Sequence, residues 1–282
     1  MFRVSRSTSE VPWRDRFPAA LTLVIPVVFG AAWMAAGGAP VHFPLVNLGA
    51  LVLSLLWIMT GRGPHTAFSR HLLAVVLLLV MVAPVVIGPQ VTSISGDRVV
   101  RWFPLGNITL HAGMLTTPAL IVLAARNSKL AAPIILAALL ATLLQPDAAT
   151  GFALTFAAVG LHHVTKDWKV GLVSILGFFA SITMALHGEI APQPFVERVL
   201  VEAAKQDLLL AAALAISLIS AFLLILFAIS VVREVRFALA GLLFGFLIMS
   251  LMSNYPTPFI GYGAAPILGF GLALGLHRIP AR

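Results

Sequence analysis

Long apolar runs dominate the chain, and short polar breaks separate them. The runs fall near 17–36, 43–60, 71–88, 112–125, 129–146, 148–164, 169–187, 207–231, 236–253 and 264–278. A hydrocarbon core of about 30 Å takes about 20 helical residues, and most of the runs approach that length. The fourth and tenth are short for it, so they should extend into flanking loops or lie against other helices. Membrane-spanning strands would be about ten residues long and would alternate in polarity, which these runs do not. The pattern predicts an all-α polytopic membrane protein of about ten transmembrane helices. Residues 1–16 read as a cytoplasmic tail, and 17–282 as a single transmembrane domain. A cleaved signal would have a shorter apolar core, although Ala35-Ala36-Gly37-Gly38-Ala39 has the small-residue character of a cleavage site.

One break stands apart. Leu143-Leu144-Gln145-Pro146-Asp147-Ala148-Ala149-Thr150-Gly151 puts a carboxylate between two membrane-length runs. A charge near hydrocarbon costs roughly 2.5–3.5 kcal/mol or more, and Pro146 has no N–H to continue a helix. Asp147 therefore belongs at a membrane face or a wet cavity. It reads either as a polar site or as the N-cap of the following span.

Composition and charge sharpen this picture. The chain has 282 residues, 60% hydrophobic and 10% charged, with mean hydropathy +1.03. Soluble domains carry about 25% charged residues. The net charge of +8 follows topology and gives no sign of nucleic acid. With the N-terminus inside, only Arg98, Arg101, Arg198 and Lys205 of the eighteen basic residues fall outside. That bias predicts both termini in the cytoplasm. Cysteine is absent, so thiol and disulfide chemistry are excluded. His162 and His163 are adjacent and diverge on a helix, which suits a snorkelling or capping pair better than a metal site. Nothing in the sequence points to a metal or cofactor.

Three connections on the outer side carry more than topology needs. The first, Pro89–His111, holds turn signals at Gly96, Pro104 and Gly106. It also has apolar stretches, Val99-Val100 and Ile108-Thr109-Leu110, that fit a small hairpin. Its Arg101-Trp102 pair suits phosphate or carboxylate recognition, but the residues alone favour an interfacial anchor. The second, Gly188–Gln206, turns amphipathic after Pro194, with Glu197, Arg198, Glu202 and Lys205 expected at the surface as helix-spaced pairs. The third, Asn254–Pro266, is broken by prolines and glycines. Broken backbone at membrane depth must be buried in protein or line a cavity, which makes Asn254 and Tyr262 candidate cavity lining.

Three of these segments together resemble the SEDS family (shape, elongation, division and sporulation), the RodA/FtsW-like peptidoglycan polymerases. Arg101-Trp102-Phe103-Pro104-Leu105-Gly106 resembles the family's RRWI-x-LG. Leu144-Gln145-Pro146-Asp147-Ala148-Ala149-Thr150 resembles LQPDLGT. Pro256-Thr257-Pro258-Phe259-Ile260-Gly261-Tyr262-Gly263-Ala264-Ala265 resembles PLPFISYGGSS. Their order and spacing agree from about residue 70 onward. The resemblance implies an outward-opening polar cavity that binds undecaprenyl-linked disaccharide-pentapeptide, beside a single-span class B penicillin-binding protein. It implies cavity roles for Arg101, Gln145, Asp147 and Tyr262. Two departures argue against polymerase activity. Where the family reads FQPSELAK, this chain reads Leu110-His111-Ala112-Gly113-Met114-Leu115-Thr116-Thr117, with Met114 for the acid and His111 for the Gln. The large outer loop that carries the family's acting aspartate is also cut to about twenty residues.

Glycosyl transfer needs a base for the acceptor hydroxyl and a cation for the leaving pyrophosphate. Asp147 and then Glu197 are the candidate bases. Arg101 and Arg198 are the candidate cations, and Trp102, His111, Gln145, Asn254 and Tyr262 are further ligand contacts. Three functions stay open: a SEDS-like protein handling a polyprenyl-linked saccharide, with membrane lipid around it; a non-catalytic accessory or scaffold subunit of a larger membrane complex; and a lipid flippase or transporter.

Overall fold

The computed structural model describes residues 13–106 and 108–276. Most of the 1–16 tail, and Arg278 and Arg282, lie outside the described residues. The chain opens with α1 (Trp13–Ala36), α2 (His42–Thr60), α3 (Ala67–Val82) and α4 (Pro84–Ile87). Four short strands follow: β1 (Val91–Thr92), β2 (Arg98–Val99), β3 (Trp102–Leu105) and β4 (Ile108–His111). Next come α5 (Ala112–Ala125), α6 (Ala131–Leu143), α7 (Ala148–Thr165) and α8 (Trp168–Gly188). The surface helix α9 (Val199–Gln206) leads into α10 (Leu208–Leu223), which runs on as a π-helical turn, Leu224–Ala228. The bundle ends with α11 (Arg233–Met252) and α12 (Ala264–Gly275).

Each predicted run is helical. Six stretches are long and apolar enough to cross a membrane, and α5, α6 and α12 are shorter apolar helices. The protein is an all-α polytopic membrane protein. Its helix starts follow capping chemistry. Thr66 and Ser69 form a reciprocal capping box on α3, and the carboxylates of Asp147, Asp167 and Asp207 accept backbone N–H groups of α7, α8 and α10. The third run breaks at Pro84, which has no N–H and opens α4.

The first long connection departs from the single hairpin expected of it. It holds two, β1 with β2 and β3 with β4, both antiparallel. Val99 pairs with Val91, and Ile108–His111 pairs with Leu105–Trp102 in reverse order. Gly96 and Gly106 both adopt positive φ, so each supplies a tight turn of its own. The second connection also differs from expectation. Glu202 and Lys205 do form an exposed i,i+3 pair at 2.9 Å, but Glu197 is buried at 4% exposure. The chain folds back before α9, and residue 197 bridges to Pro256 of the third connection.

The tightest helix pair is α7 with α11. Its contact is set by a Gly-x-x-x-Gly spacing, Gly241 and Gly245. A β-carbon on Gly241 would strike the Phe156 carbonyl, and one on Gly245 would strike the Ala153 backbone. On the α7 side, Gly160 sits equally close to the Phe237 carbonyl. In lipid, where water does not drive helices together, such close backbone approach is what holds a pair. Gly245→Leu should therefore lower the melting temperature in detergent by roughly 5–10 °C. Gly49→Leu is the control, because a β-carbon at Gly49 meets nothing within 4 Å. Equal melting temperatures for the two variants would contradict this packing account.

Candidate functional site

The three long connections meet at one end of the bundle. Arg101, between β2 and β3, donates from Nη2 to the Gly188 carbonyl at 2.8 Å, at the end of α8. Its Nη1 stands 3.8 Å from Asp147 Oδ1. Its guanidinium lies over two rings, 5.0 Å from the Trp102 centroid and 4.7 Å from that of Tyr255. Arg101 and Asp147 are 1% and 0% exposed. A guanidinium enclosed this way needs a counter-charge and aromatic faces in place of water.

Asp147 is held from several sides. Oδ1 accepts the Thr150 N–H at 3.3 Å, capping α7, and Oδ2 is 3.6 Å from His111 Nε2. Gly113 packs directly on this group, since a β-carbon there would strike Thr150 Oγ1 and Asp147 Oδ2. Tyr255, between α11 and α12, accepts the Ala148 N–H at its hydroxyl at 3.3 Å, one residue beyond Asp147. His111 caps α5, with the Met114 N–H donating to its Nδ1 at 3.3 Å. Burial pushes the imidazole pKa below its ordinary value, with Asp147 acting against that shift. The neutral ring thus carries its proton on Nε2, toward Asp147, because Nδ1 is occupied as an acceptor. At 3.6 Å that approach is longer than a hydrogen bond. Within the cluster, Arg101 Nε and Nη1, His111 Nε2, Asp147 Oδ2 and Thr150 Oγ1 are buried with no hydrogen-bond partner.

A cavity of about 320 Å³ opens beside this cluster. Apolar helices give it one side with Val46, Met114 and Pro266, and the connections give it Trp102, His111, Gln193, Glu197 and Tyr262. Phe43 holds Tyr262 in place, with rings stacked at 3.7 Å and 6°. Glu197 Oε2 accepts the Gln193 N–H at 2.7 Å. Burial raises the Glu197 pKa from 4.5 to about 7, although backbone hydrogen bonds and the nearby Arg101 pull it down. Glu197 can accept a proton from a hydroxyl near neutral pH. His111 cannot do so while Met114 occupies Nδ1.

The predicted residues separate into groups. Trp102, His111, Glu197 and Tyr262 line the cavity. Asp147 and Arg101 lie enclosed behind His111 and off the wall, which corrects the expectation of an acid exposed to the pocket. Gln145 is also buried, donating from Nε2 to the Met81 carbonyl as a tie to α3. Asn254 fastens the second connection through Glu189 Oε1 at 3.1 Å and the Ile190 carbonyl at 3.3 Å. Arg198 opens α9 in the left-handed region and is not part of the cavity lining. Sequence reasoning missed Tyr255. The available signal was that both tyrosines of the chain fall on the third connection. Among the described residues, no three His, Asp or Glu side chains gather as metal ligands would.

No family model and no curated protein matches the chain. The fold is similar to that of a chain in a solved structure concerned with the coordination of polymerization and crosslinking by a peptidoglycan synthase complex. The TM-score is 0.56 at 20% identity, over 94% of this chain and 97% of that one. At this identity the likeness is one of fold.

Asp147→Asn keeps a capping oxygen for α7 but strips Arg101 of its counter-charge. It should cost about 3–5 kcal/mol of stability. Adding Arg101→Met should restore much of the loss, as read by thermal unfolding at pH 7. Glu197 makes a separate prediction. Its folded pKa lies above its unfolded one, so its contribution is fully favourable below about 4.5 and is lost as pH rises through about 7. Between those limits the loss is on the order of 3 kcal/mol. Glu197→Gln should flatten the melting-temperature profile across that window and be the more stable protein at pH 8. A wild-type profile matching that of the variant would rule out the raised pKa.

Proposed function

We propose that this chain is a SEDS-like membrane protein that holds a polyprenyl-linked saccharide during cell-envelope (peptidoglycan) assembly. The observation that carries the proposal is the two-sided lining of the cavity. Val46, Met114 and Pro266 come from apolar helices of the bundle and suit an isoprenoid chain, while Trp102 and Tyr262 offer ring faces to sugar. Glu197 is the group placed to take a proton from an acceptor hydroxyl, should transfer occur. The fold likeness to a chain from a peptidoglycan synthase complex supports this setting and a membrane partner such as a class B penicillin-binding protein. The charge bias supports a bacterial inner membrane with the basic end in the cytoplasm.

A second reading, an accessory subunit without turnover, draws on one specific observation. The acid in the most family-like motif, Asp147, is 0% exposed and engaged in capping and ion pairing. Native mass spectrometry and a polymerisation assay with undecaprenyl-linked disaccharide-pentapeptide separate the two. The lipid-linked saccharide should be retained, and Tyr262→Ala or Trp102→Ala should weaken retention about tenfold. Polymer that forms in the wild type and disappears in Glu197→Gln would establish transfer. Retention without polymer would leave a protein that holds the saccharide without transferring it, and no retention at all would overturn the proposal in favour of the accessory role.

A further inference from the structure

On the flank of the bundle, away from the saccharide cavity, lies a second cleft of about 340 Å³. Leu143 and Pro146 line it from the α6–α7 corner, and Thr183, Met184 and His187 from the last turns of α8. Asp97 and Arg98, from the first hairpin, complete it. The same helix ends carry exposed leucines close in sequence to these residues, Leu140 and Leu144 near Leu143 and Leu186 before His187, at 55%, 61% and 70% exposure. Because α6 and α8 both end here, the cleft sits where a spanning helix leaves hydrocarbon for the headgroup layer.

The rim carries both signs of charge, and the negative one is held in place. His187 Nδ1 and Asp97 Oδ2 are 2.8 Å apart, and Ser95 Oγ donates to the same oxygen at 2.8 Å. The hydrogen bond from His187, then that from Ser95, holds the Asp97 carboxyl below the usual carboxylate range, so it is ionised at neutral pH. Both bonds fall on Oδ2, and among the described residues Oδ1 takes none. Arg98 is exposed beside it, on a strand that Thr92 pairs in place. One further bond ties the rim to the end of α8, from the Ile94 N–H to the Glu189 carbonyl at 2.8 Å.

We propose that this cleft binds a phospholipid whose headgroup pairs a phosphodiester with a primary ammonium. The guanidinium of Arg98 takes the phosphate, the Asp97 carboxylate accepts the ammonium N–H bonds, and the acyl chains lie along Leu140, Leu144 and Leu186. The carboxylate sets the choice. It disfavours a purely anionic headgroup by repulsion, and a trimethylammonium has no N–H to donate to it. Occupancy also braces the buried cluster from behind. Pro146 precedes Asp147, and His187 precedes Gly188, whose carbonyl holds Arg101. This site stands independently of the proposed saccharide cavity.

Native mass spectrometry of the purified full chain tests it, with phosphatidylethanolamine, phosphatidylcholine and phosphatidylglycerol of identical acyl chains. The ethanolamine lipid should be retained about fivefold better than either of the others. Asp97→Asn should bring it down to the choline level, with thermal unfolding run alongside to verify the fold. Arg98→Ala alters an exposed side chain and should weaken all three lipids. Equal retention of ethanolamine and choline lipids by the wild type overturns the proposal. So does a preference that survives Asp97→Asn, or unchanged retention in Arg98→Ala.

Discussion

A guanidinium shut inside a helical bundle sets the terms for one whole end of this protein. Arg101 is too polar to be enclosed without compensation, and no single element can supply it. The carboxylate comes from the α6–α7 corner, a carbonyl from the end of α8, one ring from β3 and another from the connection between α11 and α12. Each contributor is therefore positioned by the same charge. The breaks that would otherwise be ragged helix ends become a knot with a fixed geometry. The capping bond from the Thr150 N–H to Asp147 belongs to it, since the oxygen facing Arg101 also caps the start of α7.

The rest of the bundle lets that knot stay rigid. Close backbone contact between α7 and α11 fixes the helix that begins at Asp147. The polar tie from Gln145 to α3 fixes the corner before it. Asn47 does similar work across the cavity, donating to the Gly261 carbonyl at 2.8 Å and accepting the Gly263 N–H at 3.0 Å. That pair secures the Pro- and Gly-rich backbone after Tyr255, which has no ladder of its own. The cavity is thus a gap among parts that are each pinned elsewhere. Binding sites are commonly built this way, with loops held by a stiff scaffold.

How far the sequence could be read follows from the range of the interactions involved. Apolar runs and their polar breaks depend on local composition, so the helices and the three connections were legible, and so was the capping chemistry at Asp147. Two turns 10 residues apart, at Gly96 and Gly106, imply two hairpins, but Val91-Thr92 is too short to announce itself as the partner of Val99. The burial of Glu197 depends on a bridge to Pro256, far along the chain, and no local pattern carries that. Tyr255 and Tyr262 look alike in sequence. One closes over Arg101 and the other faces the cavity, because the backbone between them reverses at residues 257–261. The close approach of Gly241 and Gly245 to α7 likewise depends on a partner far away in the chain, which no local pattern names.

The two acids at this end illustrate why burial alone does not identify a working group. Asp147 and Glu197 are both nearly inaccessible, but Asp147 has a cation, a backbone donor and an imidazole around it, and its charge is part of what holds the fold together. Changing its protonation would disturb Arg101, α7 and His111 at once. Glu197 has a backbone N–H and only the more distant field of Arg101, so burial leaves its carboxyl balanced between two states near neutral pH. It also faces the cavity, where a ligand hydroxyl or ammonium can shift that balance. A group whose charge is paired inside the bundle stabilises a structure, whereas a group at an open wall can respond to what enters. By that criterion Glu197 is the acid at this end whose protonation can follow what enters the cavity, with Asp147 and Arg101 as part of the fixed frame behind it.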